Sequence, residues 1–184
     1  IMKSLEDLND FKPAFSFGNR TRSFLKIQDG CDYKCSFCTI PLARGKSRSD
    51  TVEHTINKIK HLKQNGVKEI VLTGVNIGDF KNEKNEKLID LLIAIDKINN
   101  IRVRISSIEP NLLSEEIIDL ISKSQILLPH FHIPLQSGSD RILKSMKRRY
   151  LTKNYKKIIN KINRTVDDVC IGVDVIVGFP GETD

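Results

Sequence analysis

The sequence predicts an α/β domain built on a parallel sheet. Three observations support this: short apolar, β-branched segments recur along the chain, an amphipathic helical segment follows nearly every one, and a glycine-rich or polar stretch ends each strand. With 184 residues, of which 39% are apolar, the chain is long enough for one domain with a core. No apolar run reaches the roughly 18 residues of a membrane span, so we expect a cytoplasmic protein with reduced thiols.

The first unit contains the most distinctive element. Residues 24–29 alternate as a strand that leads directly into a cysteine-rich loop. A helix is predicted to begin at Asp50, with Glu53 three positions on as a capping box, and to end at Gly66.

The later units repeat this order. Ser114 precedes two glutamates, which is typical of a helix start. Strands are predicted over residues 69–74, 102–108, 127–135 and 171–179, and helices over residues 88–98, 114–123, 140–147 and 152–163.

Both ends of the chain suggest a piece of a longer protein. Residues 1–22 have little periodicity and are predicted to be a linker from a preceding domain. The chain stops after the fifth strand, so we expect residues 23–184 to form a domain that is incomplete at its C-terminus.

The polar and glycine-rich stretches all follow predicted strands. Parallel βα architectures place their sites at the carboxyl ends of the strands, so these stretches are expected to meet at one rim. They are the cysteine loop, TGVNIG (73–78), SSIEP (106–110), PLQSGS (134–139) and GFPGET (178–183).

Positive charge is concentrated in one part of the chain. Ten Lys or Arg residues and no acid lie between Arg141 and Arg164, within a net charge of +7. A smaller basic group follows the cysteines at Arg44, Lys46 and Arg48. Such charge favours a polyanion, with RNA as the expected partner, although a solvated lysine-rich helix face has the same composition.

Three of the four cysteines, Cys31, Cys35 and Cys38, have the spacing C-x3-C-x2-C. Thiolates are soft ligands that suit zinc or an iron-sulfur cluster. A zinc site would take its fourth ligand from one of the four histidines: His54, His61, His130 or His132. A four-iron cluster would keep one iron without a protein ligand. The spacing alone leaves both alternatives open.

With Phe37 directly before the last cysteine, the motif resembles the signature of radical S-adenosylmethionine (radical SAM) enzymes. The resemblance implies a [4Fe-4S] cluster on the three cysteines, whose open iron is chelated by the amino and carboxylate groups of S-adenosylmethionine (SAM). An electron from the cluster would then cleave SAM to a 5'-deoxyadenosyl radical. It also implies a partial (β/α)6 barrel, truncated here after about five strands.

Further segments narrow the resemblance. Residues 20–49, SSIEP, HIPLQSGSDRILKSMKRRY (132–150) and VDVIVGFPGET (173–183) are similar to the radical SAM core of the methylthiotransferases. The segment IPLARGKSRS (40–49) most resembles the branch that acts on N6-threonylcarbamoyladenosine beside the tRNA anticodon. Alternatives are the isopentenyladenosine-tRNA branch, the branch that modifies a ribosomal protein aspartate, another kind of radical SAM enzyme, and a zinc-stabilised RNA-binding module.

The methylthiotransferase resemblance also implies parts outside these residues. They are an N-terminal domain with a second [4Fe-4S] cluster on three more cysteines, a C-terminal RNA-binding module, the tRNA anticodon loop as partner, and an electron donor such as flavodoxin or ferredoxin.

The resemblance assigns SAM contacts along the rim. Phe37 and Gly178 would lie against the adenine, and Gly74 and Asn76 would stand where many relatives hold the methionyl amino group. Ser107 and Glu109 would bind the ribose or methionyl group, and Gln136 would add a polar group nearby. Structural roles as a core aromatic, a turn glycine or a turn before Pro110 remain alternatives.

Other residues are given simpler roles. Arg44, Arg48, Arg148 and Arg149 are the candidate RNA contacts, by charge and analogy. No catalytic residue is expected beyond the cluster ligands, because the cofactor carries the chemistry. His130 and His132 are interpreted as structural. Cys170, beside a β-branched strand, is predicted to be a buried, inert thiol.

Overall fold

The structure, a computed structural model, describes residues 10–16 and 21–183. Parts of the predicted linker, residues 1–9 and 17–20, lie outside the described residues, as does Asp184. The strands are β1 (Ala14–Phe15), β2 (Arg22–Lys26), β3 (Gln28–Asp29), β4 (Arg48–Ser49), β5 (Glu69–Thr73), β6 (Arg102–Ile105), β7 (His130–His132) and β8 (Cys170–Gly172). The helices are α1 (Ile40–Arg44), α2 (Val52–Gln64), α3 (Leu88–Asp96), α4 (Glu115–Lys123), α5 (Asp140–Ser145) and α6 (Thr152–Thr165).

Five strands follow one another in parallel, as predicted. β2 pairs with β5, β5 with β6, and β7 with β8, while single parallel bridges from Val103 to Leu127 and from Ser107 to His132 connect β6 to β7. The short β1 adds an antiparallel strand beside β2. The result is an open, partial α/β barrel whose strand carboxyl ends share one rim.

The core lies between this sheet and the helices. Leu25, Ile70, Leu72 and Val103 are fully buried on the strands, because alternating apolar residues point to the covered faces. Helix α3 buries all three of its leucines, and α4 buries a stripe of three isoleucines. None of the helices in residues 10–16 and 21–183 is long and apolar enough to cross a membrane.

The first strand is shorter than predicted. β2 ends at Lys26, and β3 then leaves the parallel sheet to pair antiparallel with β4. Gln28 on β3 is fully buried, and its amide is directed into the loop, where Nε2 donates to the Gly30 carbonyl at 2.7 Å. The cysteine loop is therefore closed at its base by β3 and β4.

The start of α2 also differs from the prediction. Thr51, one residue later than Asp50, is the N-cap, and its Oγ1 accepts a hydrogen bond from the His54 backbone N–H at 3.1 Å. Asp50 is instead buried, where it pairs with the Lys58 ammonium at 2.9 Å. The Ser114 cap of α4 is confirmed, since its hydroxyl accepts from the Ile117 N–H.

The last strand overturns the prediction for Cys170. This thiol is exposed, because β8 is paired on one side by β7 and its first residue faces outward within the described part of the chain. β8 itself ends at Gly172 rather than Phe179, and its continuation contacts the preceding loop through the bridge from Gln136 to Val175 and through the Asp174 carbonyl, which accepts from the Leu135 N–H at 3.2 Å.

Candidate functional site

The cysteine loop closes tightly at its base. Gly30 has φ +70°, and an added Cβ there would lie 2.0 Å from the Lys46 carbonyl oxygen. The Cys31 N–H donates to the Gly45 carbonyl at 3.1 Å. Only glycine allows the two sides of the loop to approach this closely.

The three predicted ligand cysteines are reduced and partly exposed on this loop. Burial raises the pKa of the Cys31 thiol, and its electrostatic interactions with Cys35, Asp79 and Cys38 act in the same direction. Among the residues that the structure describes, no three His, Cys, Asp or Glu side chains converge closely enough to hold a metal ion.

Gln28 connects the loop to the neighbouring strand end. Its Nε2 donates to the Gly30 carbonyl at 2.7 Å and to the Ser47 hydroxyl at 3.0 Å, and its Oε1 accepts from the Asn76 N–H at 2.8 Å. A Cβ at Gly74 would lie 2.8 Å from Gln28 Oε1. Gly74 is therefore required by close packing against Gln28 rather than by a turn with positive φ.

Asn76 is the most unusual polar residue of the rim. It is 4% exposed, yet neither its amide oxygen nor its amide nitrogen has a hydrogen-bond partner among the described residues. Buried amides without a partner cost free energy, so they are rare unless a ligand satisfies them. The Asp79 carboxylate, one turn further on, is also partly buried, and burial raises its pKa.

Ser107 and Glu109 follow β6 as predicted, and each has a side-chain partner from a later part of the chain. The Ser107 hydroxyl lies 2.6 Å from His132 Nδ1, and His132 Nε2 lies 3.1 Å from the Asp174 carboxylate. Glu109 forms an ion pair with Arg148. His132 thus joins three neighbouring strand ends through polar contacts.

Phe37, Gln136 and Gly178 have more open surroundings. Phe37 is 40% exposed, which agrees with a surface that a ligand could cover and not with a core aromatic. Gln136 has φ +65°, an uncommon backbone conformation for a residue with a side chain. Gly178 has φ +74°, and its N–H donates to the Glu182 carboxylate at 2.6 Å.

Arg44 and Arg48 both contact Asp29. The Arg44 guanidinium lies 3.2 Å and that of Arg48 3.3 Å from the carboxylate, and the Lys26 ammonium lies 3.1 Å away. Burial alone would raise the pKa of Asp29, but the hydrogen bonds from Lys26 and Gly30 outweigh it and hold the pKa below the usual value. Arg44 remains half exposed, whereas the Arg48 side chain is 14% exposed.

Arg148, a predicted RNA contact, is nearly buried, which argues against a surface contact with a phosphate. Its side chain is 4% exposed and lies between Glu109 and the sulfur of Cys35. Arg149 is exposed, but its guanidinium stacks 3.8 Å above the Tyr33 ring. The many basic residues nearby in the sequence suggested a solvated surface for both arginines. Their partners could not be recognised from the sequence, because Cys35 and Tyr33 lie more than 100 residues earlier and Glu109 follows β6.

Several rim residues were missed at the sequence level: Gln28, Tyr33, Asp79 and Asn111. Tyr33 is 5% exposed, and its hydroxyl accepts a hydrogen bond from the Asn111 amide at 2.6 Å. For Gln28 a signal existed, since alternation along residues 24–29 places a polar side chain at a strand end beside a motif. The other three are defined only by contacts distant in sequence.

The rim fits the group that the cysteine motif implies. Three soft thiol donors on one partly exposed loop suit an iron-sulfur cluster, whose thiolates stand further apart than those around a single ion. The unpartnered Asn76 amide and the exposed Phe37 ring border the same rim and offer polar and stacking contacts to a second ligand. Cys31, Cys35 and Cys38 are therefore able to hold the cluster.

Comparisons with curated proteins find relatives of greater length. The chain is 42% identical over 171 residues to the threonylcarbamoyladenosine tRNA methylthiotransferase MtaB of Thermotoga maritima, covering 92% of this chain and 39% of that protein. It is 39% identical over 166 residues to the tRNA-2-methylthio-N(6)-dimethylallyladenosine synthase of Alkaliphilus oremlandii, covering 89% and 35%. The chain spans about two fifths of the length of these relatives.

Solved structures and a family model support the fold. The radical S-adenosylmethionine methyltransferase TsrM from Kitasatospora setae superposes with a TM-score of 0.73 at 17% identity, covering 87% of this chain and 32% of that one. The family model described as the radical SAM superfamily matches residues 25–184. By this match, the chain belongs to the radical SAM superfamily.

Proposed function

We propose that this chain is the core of a radical SAM methylthiotransferase that converts N6-threonylcarbamoyladenosine beside the tRNA anticodon to its 2-methylthio form. The observation that carries the proposal is the cysteine loop at the end of β2, set beside the unpartnered amide of Asn76 on one rim. The 42% identity to two proteins named MtaB supports the substrate.

The three cysteines and Asn76 have the central roles in this proposal. Cys31, Cys35 and Cys38 hold a [4Fe-4S] cluster, which supplies the electron that cleaves SAM when both are bound. Asn76 offers its buried amide to the methionyl part of SAM.

The other rim residues orient SAM. Ser107 is held by His132, and Glu109 by Arg148, so that each presents its polar atoms in a fixed direction. Phe37 and Gly178 form the open side, where an adenine ring could stack.

RNA contact is proposed for exposed cations of the basic stretch and for Arg44, which pairs with Asp29 but stays half exposed. Lys153, Lys156 and Arg164 of α6 and Lys144 of α5 are exposed along the basic stretch, and Arg44 projects half exposed beside the rim. An anticodon loop suits this surface because its unstacked bases can enter a pocket without the opening of a duplex.

The experiment that tests the proposal compares tRNA nucleosides by mass spectrometry from a wild-type strain, a deletion strain and a complemented strain. We expect 2-methylthio-N6-threonylcarbamoyladenosine to disappear on deletion and to return on complementation. If the 2-methylthio derivative of isopentenyladenosine is lost instead, the result would favour the second candidate, the isopentenyladenosine-tRNA branch. Relatives of 37 to 39% identity are named tRNA-2-methylthio-N(6)-dimethylallyladenosine synthase. Loss of neither, with SAM cleavage retained, would point to another radical SAM enzyme.

A residue-level prediction concerns Asn76. Asn76→Ala in the full-length protein should change the free energy of unfolding without SAM by no more than about 1 kcal/mol, because the amide makes no bond that is lost. SAM affinity should fall about tenfold or more, as measured by calorimetry on the reconstituted protein.

A colourless wild-type protein with about one zinc per chain would instead support the zinc-stabilised RNA-binding module.

A further inference from the structure

The turn after α5 holds the cysteine loop. We call residues 145–150 the clamp segment. The Ser36 N–H donates to the Met146 carbonyl at 3.2 Å, and the Ser36 hydroxyl donates to the Ser145 carbonyl at 2.9 Å. Arg149 of the clamp segment covers the face of Tyr33. Two residues of the cysteine loop are thus fixed by a segment more than 100 residues later in the chain.

The backbone of the clamp segment directs Arg148 inward. Lys147 has φ +58°, and the Arg148 N–H donates to the Leu143 carbonyl at 2.9 Å, so that the chain turns sharply as α5 ends. Met146 and Tyr150 on either side are buried. Arg148 therefore enters the site from a rigid turn and not from a mobile surface loop.

Arg148 uses all three of its nitrogens. Nη1 donates to the Cys35 sulfur at 3.2 Å, Nη2 pairs with the Glu109 carboxylate, and Nε donates to the Tyr150 hydroxyl at 3.3 Å. The guanidinium also lies 5.2 Å from the centre of the Tyr150 ring. A planar guanidinium with three fixed partners cannot easily be replaced by lysine, whose single nitrogen cannot reach all of them.

We propose that Arg148 is a positioning residue for the iron-sulfur cluster: it orients the Cys35 sulfur and makes the cluster easier to reduce. This inference rests on the proposed cluster site. Reduction adds one electron, and hence one negative charge, to the cluster. A hydrogen bond from a buried cation to a ligand sulfur stabilises that added charge, and such bonds are among the main determinants of cluster potential. At 4% exposure the guanidinium charge is little screened by water.

The test measures the midpoint potential of the cluster in full-length protein, reconstituted anaerobically without SAM and titrated with dithionite under electron paramagnetic resonance. The radical SAM cluster is the one whose signal changes when SAM is added to a parallel sample. Arg148→Met should make its reduction about tenfold less favourable, which for a one-electron couple is about 59 mV more negative. Arg141→Met is the matched control, since Arg141 is exposed on α5 and lies outside both the cysteine loop and the clamp segment, and it should leave the potential unchanged.

Two further variants guard against a folding defect. Glu109→Gln keeps a hydrogen-bond acceptor for Arg148 but removes the compensating charge, so the potential should move in the positive direction. The double variant E109Q/R148M leaves no unpaired buried charge but still lacks the hydrogen bond to Cys35, so its potential should lie between that of Arg148→Met and the wild-type value. Potentials of all four variants equal to the wild-type value would overturn the role of Arg148. Absence of any cluster in the wild-type protein would contradict the proposed function instead.

Discussion

The cysteine loop and the loop after β8 lie on the same rim but are held in different ways. The cysteine loop is fixed by contacts distant in sequence: Arg148 and Arg149 reach it from more than 100 residues later, and Gln28 at its base joins it to Asn76. The loop after β8 is joined to the loop after β7 near its start, where the Asp174 carbonyl accepts from the Leu135 and Gln136 N–H groups. Further on, the turn from Gly178 to Glu182 bonds within itself, and Val175 and Val177 are 57% and 85% exposed. The cysteine loop is therefore shaped before any ligand binds, whereas the tip of the loop after β8 is defined, among the described residues, mainly by its own turn.

The largest difference in the free energy of unfolding should be found between alanine variants of two glycines, one in each of these loops. Gly30 and Gly178 have nearly the same positive φ, but a Cβ at Gly30 meets backbone at 2.0 Å whereas none of the described atoms lies within 4 Å at Gly178. Gly30→Ala should lower the free energy of unfolding by more than about 3 kcal/mol and abolish the chromophore near 400 nm after reconstitution. Gly178→Ala should cost only about 1–2 kcal/mol and keep the chromophore. Denaturant unfolding and absorbance measure both.

Equal losses at the two glycines would contradict this contrast. They would mean that backbone conformation alone, and not the close approach of Gly30 to the Lys46 carbonyl, decides how the cysteine loop closes.

A smaller difference in the free energy of unfolding is expected between leucine variants of two glutamines on the same rim. Gln28→Leu removes hydrogen bonds that join β3, the cysteine loop and Asn76, and leaves buried backbone groups unpaired, which should cost about 2–4 kcal/mol. Gln136→Leu changes a partly exposed side chain with no hydrogen bond among the described residues, and should cost less than about 1 kcal/mol. Chemical denaturation of the two variants side by side provides the measurement. A Gln28→Leu protein as stable as Gln136→Leu would show that the cysteine loop does not depend on this connection.

The same contrast explains what the sequence could and could not predict. Periodicity predicted the five parallel strands, and spacing predicted the cysteine loop, because both depend on residues close together in the chain. Arg148 looked like part of a solvated basic stretch, since its partners Cys35 and Glu109 are brought to it only by the sheet. Cys170 was wrongly predicted to be buried because β-branched neighbours indicate a strand but not which side of it is covered.

The smallest effect on stability is expected for His130. It is the first residue of β7 and lies at the end of the strand opposite the rim. Burial lowers the pKa of His130, and the nearby charges of Arg104 and His132 lower it further. The unfolded chain therefore binds a proton at a higher pH than the folded one, so the stability due to neutral His130 is present above pH 6.5 and is lost as the pH falls through the folded pKa.

His130→Asn removes this titration. Between about pH 7.5 and about pH 5.5, the melting temperature of the wild-type protein should fall by roughly 2–4 °C more than that of the variant. Differential scanning calorimetry at several pH values measures the difference, with the Arg141→Met protein as a control that retains His130. Because His130 lies at the opposite end of β7 from both loops, the variant should assemble the cluster as fully as the wild type. Parallel pH profiles for variant and wild type would show that His130 is protonated equally in the folded and unfolded chains.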